Sequence, residues 1–215
     1  MSPLDDLDWE EVREQYDIRE SAHRQLILLY DKPSKDAFAE KALAIKVPEC
    51  NYSAYDHSLG PKILHRDFNL NAINRIYEIA GCFRELIDPH EVPKLIHNCQ
   101  LKFFQTAVGS ELSCMMNPNV CWVTNVRTIW THLVFKKKWN IGEADTELAL
   151  YRNVDDSSEM AYRKWQCIHA DQAQTNASIF DLGQQLARKN SVEPGDLKYF
   201  WVDAIANMLY EHHHG

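Results

Sequence analysis

Apolar positions recur at helical spacing along most of this chain. Trp9, Val12, Tyr16, Ile18, Leu26, Ile27 and Tyr30 predict a helix over 9–30, with acids crowding its start as the helix dipole favours and Asp17 a candidate break. Asp31-Lys-Pro-Ser34 reads as a turn, and Ser34 as the N-cap of a short helix over 35–45. Over 47–69 the pattern is lost, and Pro48, Asn51, Ser53, Ser58, Gly60 and Pro61 predict a long irregular stretch. Loops of that length are commonly functional, so Tyr52, Tyr55, His57 and His65 are candidates for a lid, with a disordered linker as the competing reading.

Helical spacing returns over 71–87 through Ile73, Ile76, Ile79, Phe83 and Leu86, and Asp88-Pro-His stops it. Further segments follow over 92–97 and 101–108, then 110–116, and after Asn117-Pro-Asn119 another over 125–137. The segment 143–151 is helical, Asp155-Asp-Ser-Ser158 caps a helix to Ala170, and Asn176 or Ser178 starts one to Lys189. Pro194, at a first turn, opens the last helix, through Tyr210. The expected fold is mostly α, a compact multi-helix single domain over 1–215 with about nine helices and no convincing strand or internal repeat.

Composition agrees with this pattern. Only 7 Gly and 8 Pro in 215 residues leave little room for a turn-dense β-sandwich, and 45% hydrophobic with 25% charged is ordinary globular usage. The longest unbroken apolar run, Leu26 to Tyr30, is far short of a membrane span, which needs roughly 18 such residues. The acidic start (Asp5, Asp6, Asp8, Glu10, Glu11) is unlike a signal peptide, so the expected location is the cytoplasm, or the host cytoplasm for a phage-encoded chain. Six scattered cysteines with no C-x-x-C pair write neither a zinc site nor a disulfide framework, and no cofactor or metal is expected. His212 to His214 could bind metal, or could be a tag remnant.

Charge is unevenly placed. The net charge of -8 argues by itself against nucleic acid, yet residues 1–20 carry eight acids against Arg13 and Arg19, a net of −6. Residues 62–138 carry ten bases against six acids, a net of +4, with His65, His90, His97 and His132 among them. A basic midsection in an acidic protein fits a local anion site, although a solvated face is the plainer reading of the same charges.

The stretch that carries chemistry runs from Thr106 to Trp130. Gly109 precedes a short helix, an apolar turn follows, and Thr124 or Asn125 stands where an N-cap is expected. A helix start presents free N–H groups, so an anion or base edge can dock there, with Arg127 in the first turn to pair it.

This stretch resembles the helix-hairpin-helix DNA glycosylase superfamily. Ala107-Val108-Gly109-Ser110-Glu111 looks like the hairpin, Pro118 lies seven residues before Asn125, and Arg127 sits at the matching Arg. Lys198-Tyr-Phe-Trp-Val-Asp203 is weakly similar to the closing helix of the same relatives. The resemblance covers some 35 residues, with about 15 more faintly. Its nucleophilic Lys falls on Glu111 and its catalytic Asp on Asn125; neither side chain supports base excision, because Glu111 cannot form a Schiff base and an amide cannot act as a base.

The remainder resembles a phage offshoot, the α-glutamyl/putrescinyl-thymine pyrophosphorylase-like proteins, implicated in joining an amino acid to a pyrophosphate-activated hydroxymethyl pyrimidine in DNA. That resemblance implies DNA and a free amino acid as partners. The expected catalytic residues are Glu111, Asn125, Arg127, His132 and Asp203, with Glu111 or His132 accepting the proton of the attacking ammonium. Lys102, Ser110, Lys136, Lys137 and Lys138 are expected on phosphates, and Trp122 and Trp130 against a flipped base. A plain helix pair reads the same residues, with Asn125 a simple cap and Lys136 to Lys138 a solvated last turn.

Two other classes compete. Arg127-Thr-Ile-Trp-Thr-His132 also resembles the Arg-x(4–6)-His signature of HEPN-type ribonucleases, although Arg84 to His90 and Arg163 to His169 satisfy the same spacing by chance. A non-catalytic acidic interaction protein built on residues 1–20 is the third reading. A di-iron bundle is the thinnest reading, because the Glu-x-x-His spacing occurs at Glu20 to His23 and otherwise only in the tail, at Glu211 to His214.

Overall fold

In the computed structural model, residues 3–32, 34–65, 70–152 and 158–215 are described. Among them the chain forms eleven α-helices and two 3-10 turns, and no strand. They are α1 (Trp9–Tyr30), α2 (Lys35–Ala42), α3 (Tyr52–Asp56), α4 (Leu59–His65), α5 (Leu70–Arg84), α6 (Val92–Cys99), α7 (Thr106–Met116), α8 (Val126–Lys136), α9 (Ile141–Arg152), α10 (Glu159–Lys189) and α11 (Lys198–His214). No described helix is long and apolar enough to cross a membrane. The described residues fall into two units, Met1–Asp17 with Thr124–Gly215, and Ile18–Val123.

The contiguous unit, 18–123, is assembled around α7. Every residue of α7 from Val108 to Met116 is buried, so this helix is a core element on all sides. Gly109 is what lets α6 approach, since a Cβ there would lie 2.6 Å from the Ile96 side chain. On another face His23 Nδ1 of α1 lies 2.6 Å from the Met115 carbonyl oxygen. Asn117, just beyond α7, donates its amide to the carbonyls of Phe83, Arg84 and Leu86 at 3.3, 3.3 and 3.0 Å. These carbonyls lie at and just beyond the C-terminal end of α5, where that of Phe83 also accepts from the Leu86 N–H at 3.2 Å.

The stretch 47–65 is not the irregular segment its sequence suggests. It holds a 3-10 turn at Pro48–Cys50, then α3 and α4, while 66–69 lie outside the described residues. Asn51 caps α3, its Oδ1 accepting from the Ala54 N–H at 3.0 Å, and its own amide donates to the Val108 carbonyl at 2.9 Å. The candidate lid residues Tyr52 and Tyr55 therefore lie on α3 and His57 at its C-cap, with Tyr55 and His57 exposed. His65 is the last residue of α4.

The other unit joins both ends of the chain. Trp9 and Trp201 lie with ring centroids 6.2 Å apart, and Tyr16 and Trp201 meet edge-to-face with centroids 5.9 Å apart. Arg13 Nη1 donates to the Glu193 carbonyl at 3.0 Å, and the Tyr16 hydroxyl accepts from the Leu197 N–H at 3.2 Å. α10 and α11 come close at Gly183, where a Cβ would collide with Ile205 Cδ1. α10 is one 31-residue helix capped by Ser158, whose Oγ accepts from the Ala161 N–H at 3.0 Å, and not the two helices its polar residues suggest. Asn176 does not start a helix; it is buried mid-helix beside His169 and Gln172, which face the unit's interior. α11 starts at Lys198, after the Pro194 turn.

Candidate functional site

The start of α8 has the form its sequence predicts. Asn125 is the N-cap with an extended backbone; its Oδ1 accepts from the Thr128 N–H at 3.1 Å, and its own N–H donates to Thr128 Oγ1 at 3.0 Å. This reciprocal box fixes the first turn. Arg127, two residues in, is partly exposed and directed at α11: its Nη1 donates to Asn207 Oδ1 at 3.3 Å and lies 3.5 Å from Glu211 Oε1. Asp203 is buried one turn before Asn207 on α11, 2% exposed.

Further along α8, His132 faces α10 instead. It is 3% exposed, and its Nδ1 lies 2.9 Å from Thr175 Oγ1, while Nε2 is buried and makes no hydrogen bond. Burial pushes its pKa down to about 4, with Lys136 adding to the fall, so the ring is neutral at ordinary pH. Arg127 and His132 thus reach toward different helices. That follows from their five-residue spacing, about 140° around the helix, and it gives the Arg-x(4)-His pair no shared cleft within this unit.

The Lys136 to Lys138 run divides. Lys136 Nζ lies 3.4 Å from Asp171 Oδ2, and Lys137 pairs with Glu147 at 2.7 Å, a hydrogen bond that raises the lysine's pKa. Lys138 is exposed, in the left-handed region with φ 51°. Both tryptophans expected against a flipped base are buried. Trp130 is fully enclosed and donates its indole N–H to Asp145 Oδ1 at 2.7 Å, and Trp122 is 2% exposed and edge-to-face with His90, ring centroids 5.8 Å apart.

Glu111, Ser110, Lys102 and Trp122 belong to the contiguous unit, whereas Asn125, Arg127, Trp130, His132, Lys136 to Lys138 and Asp203 belong to the other. Ala107 to Glu111 is the interior of α7 and not a hairpin between helices. Ser110 is buried and bonds back to the Ala107 carbonyl at 3.2 Å; Lys102 is exposed beside the Phe103 ring. Glu111 has no exposed surface. Its Oε2 accepts from the Tyr52 N–H at 2.6 Å, and its Oε1 accepts from the Ser53 N–H at 3.0 Å and the Ser53 hydroxyl at 2.5 Å. The carboxylate thereby caps α3, a use of its lone pairs that competes with proton transfer.

Sequence reasoning does not single out the residues of α10 that face His132. Asp171, Gln174, Thr175 and Ser178 line, with His132, Phe135 and Lys136, a cleft of about 400 Å³ between α8 and α10. Their spacing is that of one helix face, visible only when 159–189 is taken as a single helix. No group of three or more His, Cys, Asp or Glu among the described residues is placed to hold a metal ion.

Comparison of the chain with protein-family models, with curated proteins and with solved structures finds no match.

Proposed function

We propose that the protein is an enzyme acting on modified bases in DNA, one that joins an amino acid to a pyrophosphate-activated hydroxymethyl pyrimidine. In this reaction the amine nitrogen attacks the exocyclic methylene carbon, the carbon–oxygen bond to pyrophosphate breaks, and pyrophosphate leaves with the bonding pair. The ammonium proton passes to a base or to water. What supports the reading is the start of α8, where Asn125, the residue that the resemblance sets at the glycosylases' carboxylate, is the N-cap and Arg127 lies in the first turn. Such a site favours an anionic leaving group without activating water for excision.

In this reading Arg127, which would exchange Glu211 for the ligand, and the exposed Lys138 meet phosphate, while Lys136 and Lys137 hold the carboxylates of Asp171 and Glu147. Of the two candidate proton acceptors, His132 is favoured over Glu111. Burial keeps the imidazole in the neutral form that can take a proton, though as a weak base, while the Glu111 oxygens are hydrogen-bonded. The deciding assay incubates the protein with duplex DNA containing pyrophosphorylated hydroxymethyluracil and a mixture of amino acids, then digests to nucleosides for mass spectrometry. A new nucleoside heavier by an amino acid is expected; none with any amino acid sinks the reading. Unchanged DNA affinity in Arg127→Ala removes the phosphate role of that residue.

The HEPN-type ribonuclease is disfavoured by the divergence of Arg127 and His132 toward α11 and α10. RNA cleavage lost in both Arg127→Ala and His132→Ala would revive it. One observation supports the acidic interaction protein: Asp5, Asp6, Glu10 and Glu11 are all exposed while Leu4, Leu7 and Trp9 beside them are buried. Neutralising the four together abolishes partner recovery in that reading.

A further inference from the structure

We infer that the cleft between α8 and α10 binds a small zwitterion carrying one ammonium and one carboxylate, with Asp171 taking the ammonium and Lys136 the carboxylate. The inference rests on the proposed transferase reading only for the fate of the bound molecule, as the amine that attacks.

Size is the first support. About 400 Å³ is within the range of small-molecule sites and far too little for a folded partner or a duplex. The charges supply the second. The lining holds one cation, Lys136, and one anion, Asp171, 3.4 Å apart and each about half exposed. An exposed pair of that kind contributes little to folding, so separating it for a ligand is cheap. Each freed group then finds its opposite charge on the ligand.

The neutrality of His132 decides between ligand classes. With the imidazole uncharged, the lining is electrically balanced. A phosphate would meet Lys136 but be repelled by Asp171; a polyamine would meet Asp171 and be repelled by Lys136. A molecule carrying both charges satisfies both without a like-charge contact. Gln174, Thr175 and Ser178 add donors and acceptors along α10, and Phe135 supplies an apolar wall. Lys136 in this scheme serves the small molecule and not the DNA backbone.

The test is calorimetric titration of the DNA-free protein with glycine, serine, glutamate and lysine in turn, with inorganic phosphate and spermidine as comparison ligands. Saturable binding of at least one amino acid is expected. Its affinity should fall about tenfold or more in Lys136→Ala and in Asp171→Ala, the size of one lost charge-assisted hydrogen bond. Exchanging the pair (Lys136→Asp with Asp171→Lys) should restore part of it, which a purely structural role would not predict. Blocking either charge of the ligand, as in N-acetylglycine or glycinamide, should weaken binding similarly. No binding at millimolar concentration, tighter binding of phosphate or spermidine, or equal binding of the blocked forms overturns the inference. An amino acid that binds but is never transferred to DNA leaves the site standing and removes the transferase. Transfer with affinity unchanged in both alanine variants does the reverse.

Discussion

Arg19 Nη1 and Glu111 Oε2 lie 3.8 Å apart with both side chains 1% exposed, an ion pair shut inside the 18–123 unit. The same Arg19 nitrogen donates to the Glu49 carbonyl at 2.7 Å, so the guanidinium ties α1 to the 3-10 turn that precedes α3, and Glu111 ties α7 to α3 itself. Removing one member of such a pair strands the other charge in a low-dielectric interior, which costs about 3–5 kcal/mol. Glu111→Ala should therefore lower the unfolding free energy by that amount in urea titrations. Glu111→Gln, which keeps an oxygen for α3, should lose less. A loss under about 1 kcal/mol for the alanine variant would show that the pair does not hold this corner.

The α8 cap makes a smaller and more local claim. Asn125→Ala should cost about 1 kcal/mol of stability, the usual value of an N-cap side chain, whereas Asn125→Asp keeps the acceptor and should stay within a few tenths. Thermal melts of the two variants side by side check this. Equal destabilisation by both would mean that the amide nitrogen, which both variants lose, and not the capping oxygen carries the contribution.

Acid should destabilise the fold through His132. Its folded pKa of about 4 lies below the value of about 6.5 expected unfolded, so between those pH values the unfolded chain binds the extra proton. Stability from this residue is complete above pH 6.5, declines as pH falls toward 4, and is constant below. At about 1.4 kcal/mol per unit, the whole effect is a few kcal/mol. His23 is shifted in the same direction, mainly by burial, so the measurement to make is the difference between wild type and His132→Gln across pH 7 to 4. Parallel stability curves would contradict the assignment.

Gly183 sits where α10 meets α11, and a methyl group there collides with Ile205 Cδ1 and stands 3.3 Å from Trp201 Nε1. Ile205 is fully buried and cannot swing into solvent. Although alanine suits a helix interior better than glycine by about 1 kcal/mol, overpacking costs about 1–3 kcal/mol, and Gly183→Ala should be net destabilising. Ile205→Val removes the colliding carbon. A double-mutant cycle should therefore show the pair less damaged than the two single variants added together.

The helical character and many boundaries were legible because local signals set them. α1 spans 9–30 as its spacing predicts, and Asn125 and Ser158 cap the helices they precede. What could not be read depends on distant partners. α3 looks like loop in the sequence because its five residues have weak propensity; its start is held by Glu111, 58 to 59 residues away. Asn176 resembles a cap until the burial of α10 against its neighbours gives it an interior place. The same misreading hides the α10 face at Asp171, Thr175 and Ser178, since a break after Ala170 removes the register that aligns them. His132 was visible as a candidate, but not the burial that makes it neutral.

The pairing of the two chain ends in one unit bears on the order of events during synthesis. Residues 18–123 form a contiguous unit, so the partners internal to it are all present once that segment has emerged from the ribosome. Arg13 and Tyr16 wait for Glu193 and Leu197, some 180 residues later. Until then the indole of Trp9 and the ring of Tyr16 lack Trp201 to pack on, and the nascent chain carries exposed aromatic surface at these two residues. The acids interleaved there, from Asp5 to Glu14, keep that waiting segment charged and soluble.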